Sequence, residues 1–159
     1  MAGSKTKILE EFVDHSLGFP VRISNATLQE MFGEWVLAVN SNNYQRAVLV
    51  KLAGDVDRRL TGKEIFFIRQ FMEMTQSQFG ALVGVSHVSV VKWEAAGFKP
   101  SRMEAPVEIL LRIQMLKFLA RGDQEIEAIC NALLEHVAHL KKLKQKRPTP
   151  VTVAFGDAA

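Results

Sequence analysis

The sequence predicts a mainly α protein in which a helical carboxyl-terminal part follows a small α+β domain. Two observations support this fold class. From Thr61 to about residue 146, apolar residues recur at helical spacing, and two segments open with capping-box sequences. Between Phe19 and Val39, apolar runs are short and are separated by turn-forming residues, which is typical of strands.

Length and composition are those of a globular protein. The 159 residues fit one ordinary domain or two small ones, and the proportions of 48% hydrophobic and 23% charged residues exclude a disordered chain. No apolar run approaches the roughly 18 residues that a membrane helix needs, and the first residues lack the apolar segment of a secretion signal. The single cysteine, Cys130, excludes an internal disulfide. We therefore expect a cytoplasmic protein that does not contact a membrane.

Positive charge is concentrated in the second part of the chain. Residues 1–60 carry seven Lys and Arg against seven Asp and Glu, whereas residues 61–147 carry thirteen against nine. A basic excess confined to one part of a chain favours a polyanion as the partner of that part.

The sequence contains no pattern typical of catalysis. Its four histidines form no His-Glu-x-x-His motif, and no nucleophile elbow or phosphate-binding loop is present. We expect a protein that is not an enzyme, with no catalytic residues, no metal site and no cofactor.

The amino-terminal domain is predicted over residues 1–58. Residues 1–18 favour a short helix or a loose arm, and helical spacing returns over residues 42–52. The polar run AGDVDRRL, residues 53–60, predicts an inter-domain linker. Three short strands are predicted in FPVRIS, TLQEMF and EWVLAV, with turns at Asn25 and Gly33.

Residues 60–121 are predicted to form the second domain, and residues 122–147 a helix with a basic end. Thr61 and Thr75 begin the two capping-box sequences, in which a side chain bonds a free backbone N–H at the start of a helix. The proline-containing tail, residues 148–159, is expected to be disordered, although its run VTVAF offers an edge strand. Helices are expected over about residues 62–73, 104–121 and 124–146.

The segment from Gln76 to Gly97 meets the steric requirements of a helix-turn-helix unit. Two helices that cross closely need a very small residue, supplied by Gly80, and the turn between them needs a positive φ, supplied by Gly84. Ser86 is a suitable N-cap for the second helix. An unrelated αα-hairpin would need a similar corner. The wedge between the helices is filled by Phe79, Val83, Val85, Val90 and Trp93.

In a helix-turn-helix protein the exposed face of the second helix, here residues 87–95, enters the major groove of DNA. Lys92 suits guanine or is a solvated charge, and Val91 suits a thymine methyl or is partly buried. His87 and Ser89 suit either a base or a phosphate, and Gln76 suits a phosphate. The predicted DNA-contacting residues are Gln76, Ser86, His87, Val88, Ser89, Val91, Lys92 and Lys99.

The run LTGKEIFFIRQFMEMTQSQFGALVGVSHVSVVKWEAAGFKP resembles the xenobiotic-response-element, lambda-repressor-like helix-turn-helix family. Its opening LTGKEI and its GVSHVSVVKWE segment are similar to those of the MqsA/YgiT-type antitoxins. The resemblance covers about Leu60 to Leu119 and implies a five-helix lambda-repressor-like domain that binds a palindromic operator as a dimer and represses its own operon. By position, Val88 and Lys92 correspond to the pair that reads bases in that family. The polar residue usual at Val88 is absent, so no operator sequence is implied.

The segment GFPVRISNATLQEMFGEW resembles the zinc domain of the same antitoxins, but without its ligands. Gln29 and Phe32 stand where the cysteines of the zinc knuckle would be, so no tetrahedral zinc site forms. We expect Phe32, Trp35 and Val36 to form a small hydrophobic core instead. This domain binds the toxin in the family, and the loss of zinc makes a stand-alone regulator at least as well supported as an antitoxin.

The last predicted helix carries an apolar seam with spacings of four and three. Such a seam either caps the helix-turn-helix core or forms a dimer contact. Five cations over residues 141–147 suit either the carboxyl end of a helix or flanking DNA phosphates. The seam consists of Ile126, Cys130, Leu133, Val137 and Leu140.

These features predict a sequence-specific DNA-binding transcriptional regulator, a repressor or autorepressor. It is expected to bind a palindromic operator in double-stranded DNA as a homodimer through residues 87–95. The alternative is the antitoxin of a type II toxin–antitoxin module, which would bind a toxin protein through its amino-terminal domain.

Overall fold

The structure, a computed structural model, describes residues 3–120, 123–137 and 148–158. The chain forms two compact units, the first consisting of Met1–Lys51 with Pro150–Ala159 and the second of Leu52–Thr149. Among the described residues the strands are β1 (Thr6–Asp14), β2 (Val21–Met31), β3 (Glu34–Leu37) and β4 (Val151–Ala154). The helices are α1 (Ser41–Gly54), α2 (Gly62–Phe71), α3 (Gln76–Leu82), α4 (His87–Ala95), α5 (Ala105–Leu119), α6 (Gln124–Val137) and α7 (Phe155–Ala158).

Strand β2 organises the sheet of the first unit. Strand β1 runs antiparallel to it from Val21 to Gln29. Strand β3 pairs antiparallel with the end of β2, and β4 pairs parallel with its beginning. Because β1 occupies one edge of β2 over both regions, β3 and β4 share the other edge. The result is a four-stranded mixed sheet.

The buried face of this sheet changes phase in the middle of β2. Val21 and Ile23 are fully buried, and burial resumes at Ala26 and Leu28 instead of at residues 25 and 27. Asn25 lies at the change and has a φ of 52°, a left-handed conformation that Asn tolerates. The turn predicted at Asn25 is therefore a local irregularity inside one continuous strand.

A two-residue turn connects β2 to β3. Phe32 and Gly33 have φ values of 53° and 84°, and two positive φ angles are typical of a type I′ hairpin. Phe32 is fully exposed at its tip, and Trp35 is 40% exposed with the Lys7 ammonium 4.2 Å from its ring centroid. The small hydrophobic core predicted from Phe32, Trp35 and Val36 is therefore wrong, because Phe32 and Trp35 are exposed and only Val36 is half-buried.

The predicted fold class, a mainly α protein with a five-helix lambda-repressor-like domain after a small α+β domain, is wrong. The described residues form seven helices, and the four-stranded sheet takes strands from both ends of the described chain. Residues 6–14 form β1 instead of a helix or an arm. Residues 151–158 form β4 and α7 instead of a disordered tail, which confirms the alternative of an edge strand in VTVAF. The sheet therefore joins the predicted tail to the amino-terminal unit.

A phase change in β1 explains why that strand resembled a helix. Its half-buried residues are 7, 9, 12 and 14, so the alternation shifts at Glu10 and Glu11. The apolar residues Ile8, Leu9, Phe12 and Val13 consequently have spacings of one, three and one, which match a helix as well as a strand.

Both predicted capping boxes are confirmed. Thr61 Oγ1 accepts a bond of 3.2 Å from the Glu64 backbone N–H, while the Glu64 carboxylate accepts one from the Thr61 N–H. Thr75 and Gln78 make the same reciprocal pair at the start of α3. These bonds fix where α2 and α3 begin.

Helix α6 contributes to the core of the second unit. Ile126 and Leu133 are 2% and 1% exposed, and α6 contacts α5. This burial favours the core alternative for the predicted seam. The Val137 side chain, Leu140 and the basic end at residues 141–147 lie outside the part of the chain whose side chains are described. Among the helices that the structure describes, none has the length and apolar character needed to cross a membrane.

Candidate nucleic-acid interface

Helices α3 and α4 form the predicted corner. A Cβ on Gly80 would lie 2.7 Å from the Val85 carbonyl oxygen, so only glycine fits where the second helix approaches. Gly84 has a φ of 75°, as the turn requires. Both predictions about these glycines are confirmed. Of the five wedge residues, Phe79, Val83, Val90 and Trp93 are buried and Val85 is half-buried.

The first turn of α4 presents two of the predicted DNA-contacting residues. Ser86 has the extended backbone of an N-cap, with ψ of 164°, but its hydroxyl makes no capping bond to the helix. Ser86 and His87 are both exposed. The N-cap position is confirmed, while the hydroxyl is not used to hold the start of the helix.

The outer face of α4 combines apolar and polar groups. Val88 is 48% exposed and Val91 is 44% exposed, so Val91 is not part of the core. Lys92 is exposed and Ser89 is half-buried beside them. Val90 and Trp93 point the other way and anchor the helix with 0% and 8% exposure.

An ion pair orients α4 relative to α2 and α3. Arg69 Nε lies 2.5 Å from Glu94 Oε1, and both side chains are only 11% exposed. Gln76 Nε2 donates to Glu94 Oε2 at 2.9 Å. The predicted phosphate ligand Gln76 is thus placed as a bridge between α3 and α4. Sequence reasoning did not identify Arg69 or Glu94, although their residue types complement each other.

The start of α2 lies against the same, carboxyl-terminal end of α4. A Cβ on Gly62 would lie 2.6 Å from both the Trp93 carbonyl oxygen and the Gly97 amide nitrogen. The Lys63 N–H donates to the Gly97 carbonyl at 2.8 Å, and the Ser101 N–H donates to the Leu60 carbonyl at 3.0 Å. The loop after α4 is therefore fastened to residues 60–63 by backbone hydrogen bonds.

This loop brings three cations together. An open groove of about 440 Å³ is lined by Lys92 from α4 and by Lys99 and Arg102 from the loop. Trp93 and Pro100 supply apolar parts of its wall. Lys92 and Lys99 are predicted site residues that the fold brings to one groove. Arg102 was not predicted as a site residue, although it is a second cation only three residues after Lys99 in the sequence.

A buried network of charged residues positions the segment that leads into α2. The Arg112 guanidinium is 1% exposed and donates to the carbonyl oxygens of Leu52, Asp55 and Arg58, the last two at 2.9 and 2.6 Å. Burial lowers the pKa of Arg112, while the neighbouring Glu108 carboxylate opposes this effect. Residues 53–60, predicted as a linker, are therefore folded around the buried Arg112 side chain of α5.

Two carboxylates complete this network. Arg58 makes a bidentate pair with Glu64, at 3.0 and 2.5 Å. Glu108 Oε1 accepts the Leu60 N–H at 2.6 Å, and Glu108 Oε2 lies 2.5 Å from Arg59 Nε. Because these bonds hold residues 58–64, they also fix Gly62 against α4. Sequence reasoning missed the network because Glu108 and Arg112 lie about fifty positions after the segment that they hold.

The second unit therefore contains a helix-turn-helix unit whose exposed helix leads into a basic groove. Comparison of the chain with protein-family models, with curated proteins and with solved structures gave no match. The resemblance to the lambda-repressor-like family and to the MqsA/YgiT-type antitoxins stays a prediction. Among the residues that the structure describes, no three His, Cys, Asp or Glu side chains are arranged to hold a metal ion.

Proposed function

We propose that this protein is a sequence-specific DNA-binding transcriptional regulator, a cytoplasmic repressor that binds a palindromic operator as a homodimer through α4. The observation that carries this proposal is the continuity between the exposed face of α4 and the groove of three cations. Lys92 belongs to both surfaces, so a base-reading surface and a phosphate-binding surface meet at one residue.

The composition of the α4 face supports double-stranded DNA as the ligand. Val88 and Val91 expose apolar groups that pack on thymine methyls in a major groove. Lys92 donates to the O6 and N7 acceptors of guanine. Ser86 and His87 stand at the start of α4, where phosphate is favoured by the helix dipole and the exposed N–H groups.

The rigidity of α4 supports base reading over loose electrostatic attachment. Reading bases requires a helix held within about 0.5 Å of its working position. The Arg69–Glu94 pair and the Gln76 amide hold one side of α4, and Gly62 abuts its last turn. Lys99 and Arg102 then contribute phosphate contacts, whose energy comes from the release of counterions.

The direct test searches the DNA upstream of the protein's own gene for a palindrome and measures binding to it. Fluorescence anisotropy with a labelled duplex should give tighter binding to this palindrome than to a scrambled duplex of equal composition, at physiological salt. The ratio of the two affinities should exceed about 10³. Equal affinities would contradict sequence reading, and absence of binding to both duplexes would contradict the whole proposal.

A second function, toxin neutralisation, is favoured by the β2–β3 hairpin of the first unit. Met31, Phe32 and Trp35 are 44%, 102% and 40% exposed and form an apolar tip that suits a protein partner. Coexpression with the product of an adjacent gene should relieve its toxicity, and Phe32→Ser should abolish the relief. This test needs the full chain, since a fragment of residues 1–58 lacks β4 of the same sheet.

A further inference from the structure

Strand β1 leaves one edge of the first unit's sheet open. Among the described residues β1 pairs with β2 alone, so its second edge has no strand beside it. The strand is nine residues long and contains no proline. Long open edges accept another strand unless they are protected.

The burial pattern of β1 is symmetric about the point between Glu10 and Glu11. Residues 7, 9, 12 and 14 are half-buried, and residues 8, 10, 11 and 13 are exposed. The order of half-buried and exposed residues from 7 to 14 is therefore the same in both directions. A regular strand cannot have this property about a midpoint between two residues, because its neighbours point to opposite faces.

This symmetry selects one register for pairing with an identical strand. In an antiparallel pair, residues directly opposite each other lie on the same face of the sheet. A twofold axis between Glu10 and Glu11 places half-buried residues opposite half-buried ones and exposed residues opposite exposed ones at all eight positions. A shift of one residue places Ile8 opposite Phe12, and the faces no longer match.

We propose that β1 is a homodimer interface, in which two copies of the chain pair antiparallel about this axis to extend the sheet. Ile8 lies opposite Val13 of the second copy, and Leu9 lies opposite Phe12. Ile8 is 72% exposed and Val13 37% exposed in the single chain, so the pairing covers both apolar side chains. Each pair occurs twice, because the axis is twofold.

The charges of β1 contribute little to this register at its ends and oppose it at its centre. Lys7 lies opposite Asp14 of the second copy, but the Lys7 ammonium already packs on Trp35 and Asp14 already accepts a hydrogen bond from Tyr44. Glu10 lies opposite Glu11, which weakens the dimer because like charges directly across strands repel. Arg22 Nε lies 3.1 Å from Glu11 Oε1 and reduces this repulsion. The alternative seam of α6 is less suitable, since Ile126 and Leu133 are already buried within the second unit.

Two substitutions at exposed positions should change the dissociation constant of the dimer in opposite directions. Ile8→Glu removes the apolar pair between Ile8 and Val13 of the second copy at both places where it occurs. This should raise the dissociation constant of the dimer by at least about tenfold. Glu10→Lys replaces two repulsions by two attractions and should tighten it about tenfold. Sedimentation velocity over a concentration series, without DNA, measures the dimer dissociation constant of each variant. Circular dichroism shows whether each variant is folded.

The Glu10→Lys variant keeps this test decisive even if Ile8→Glu fails to fold. A wild-type chain that remains a monomer at about 100 μM, a concentration well above typical dimer dissociation constants, overturns the proposal. A dimer dissociation constant that Glu10→Lys leaves unchanged also overturns the proposal. Because DNA is absent, a monomer result does not bear on whether α4 binds DNA.

Cross-linking tests the register itself. The double variant Ile8→Cys, Val13→Cys should form an intermolecular disulfide on mild oxidation, since directly opposite Cα atoms are about 4.5–5.5 Å apart. Either single variant should not, because equivalent residues of the two copies are then roughly 16 Å apart along the strand. The natural Cys130 is present in all of these proteins and serves as the common background. Equal cross-linking of the single and double variants would overturn the register.

Discussion

The phenol of Tyr44 on α1 donates a hydrogen bond of 2.7 Å to Oδ2 of Asp14 at the end of β1. Tyr44 is 3% exposed. Burial, and next the bond to the Asp14 carboxylate, raise the pKa of Tyr44 above its ordinary value of 10.0. In the folded chain Tyr44 therefore keeps its proton at pH values where the unfolded chain releases it.

This difference makes the stability of the protein fall in alkali. Above about pH 10 the unfolded chain binds fewer protons than the folded one, so the free energy of unfolding decreases as pH rises. Tyr44→Phe keeps the ring and removes the phenol. We expect this variant to lose about 1 kcal/mol at neutral pH and to show a shallower decrease above about pH 10. Urea unfolding at a series of pH values measures both effects, and identical pH slopes for the two proteins would contradict the assignment.

Gly62→Ala should destabilise the second unit and impair DNA binding. The added Cβ meets backbone atoms of Trp93, Glu94 and Gly97, which cannot move as a flexible side chain can. We expect a loss of about 1–3 kcal/mol in the free energy of unfolding, measured in urea.

The matched control for this substitution is Gly54→Ala. A Cβ on Gly54 would lie 3.5 Å from Ile129, an ordinary contact, so this variant should keep or gain stability. If Gly62→Ala and Gly54→Ala behave alike, close packing of α2 against α4 is not important for stability.

Arg112→Lys should be strongly destabilising although it keeps the charge. A lysine ammonium cannot reproduce the planar fork that reaches four carbonyl oxygens and Glu108, so buried acceptors lose their donors. We expect about 3–5 kcal/mol of lost stability, by analogy with breaking other buried pairs. Arg102→Lys, at an exposed position, is the control and should change stability by less than about 0.5 kcal/mol.

Substitutions in the basic groove should separate base reading from phosphate binding. Lys92→Ala should reduce the preference for the operator over a scrambled duplex by about 1–3 kcal/mol. Lys99→Ala and Arg102→Ala should weaken binding to both duplexes alike and lower the salt slope by about one unit each. Anisotropy titrations at several salt concentrations distinguish these effects.

Lys117→Ala is the control for this series, because Lys117 is an exposed cation on α5 that does not line the groove. Its affinity for both duplexes should match the wild type. Loss of affinity in Lys117→Ala equal to that in Lys99→Ala would show that net charge, and not the groove, determines binding.

The helix-turn-helix corner was predictable because its requirements are local. Gly80, Gly84 and the two capping boxes each act within about eight residues of chain, so their spacing in the sequence is sufficient. The same spacing also predicted which residues form the exposed face of α4. Lys99 was placed in the site, and its neighbour Arg102 was not.

The features that sequence reasoning missed depend on partners that are distant in the chain. Strand β4 pairs with residues 21–24, which lie more than a hundred positions earlier, and only the folded chain shows this. Arg59 looks like a solvated linker residue until Glu108, which is distant in the sequence, is placed beside it. In β1 the change of phase at Glu10 removed the alternation by which a strand is identified.

The pairing of β4 with β2 also determines the order in which the chain can fold during synthesis. Val151–Ala154 leave the ribosome only after the whole of the second unit has been made. The hairpins of the first unit must therefore wait with half of one edge of β2 uncovered, while the helices around α4 are free to close from contacts nearer in sequence. In a cell, the second unit can therefore complete its fold before the sheet of the first unit receives its last strand.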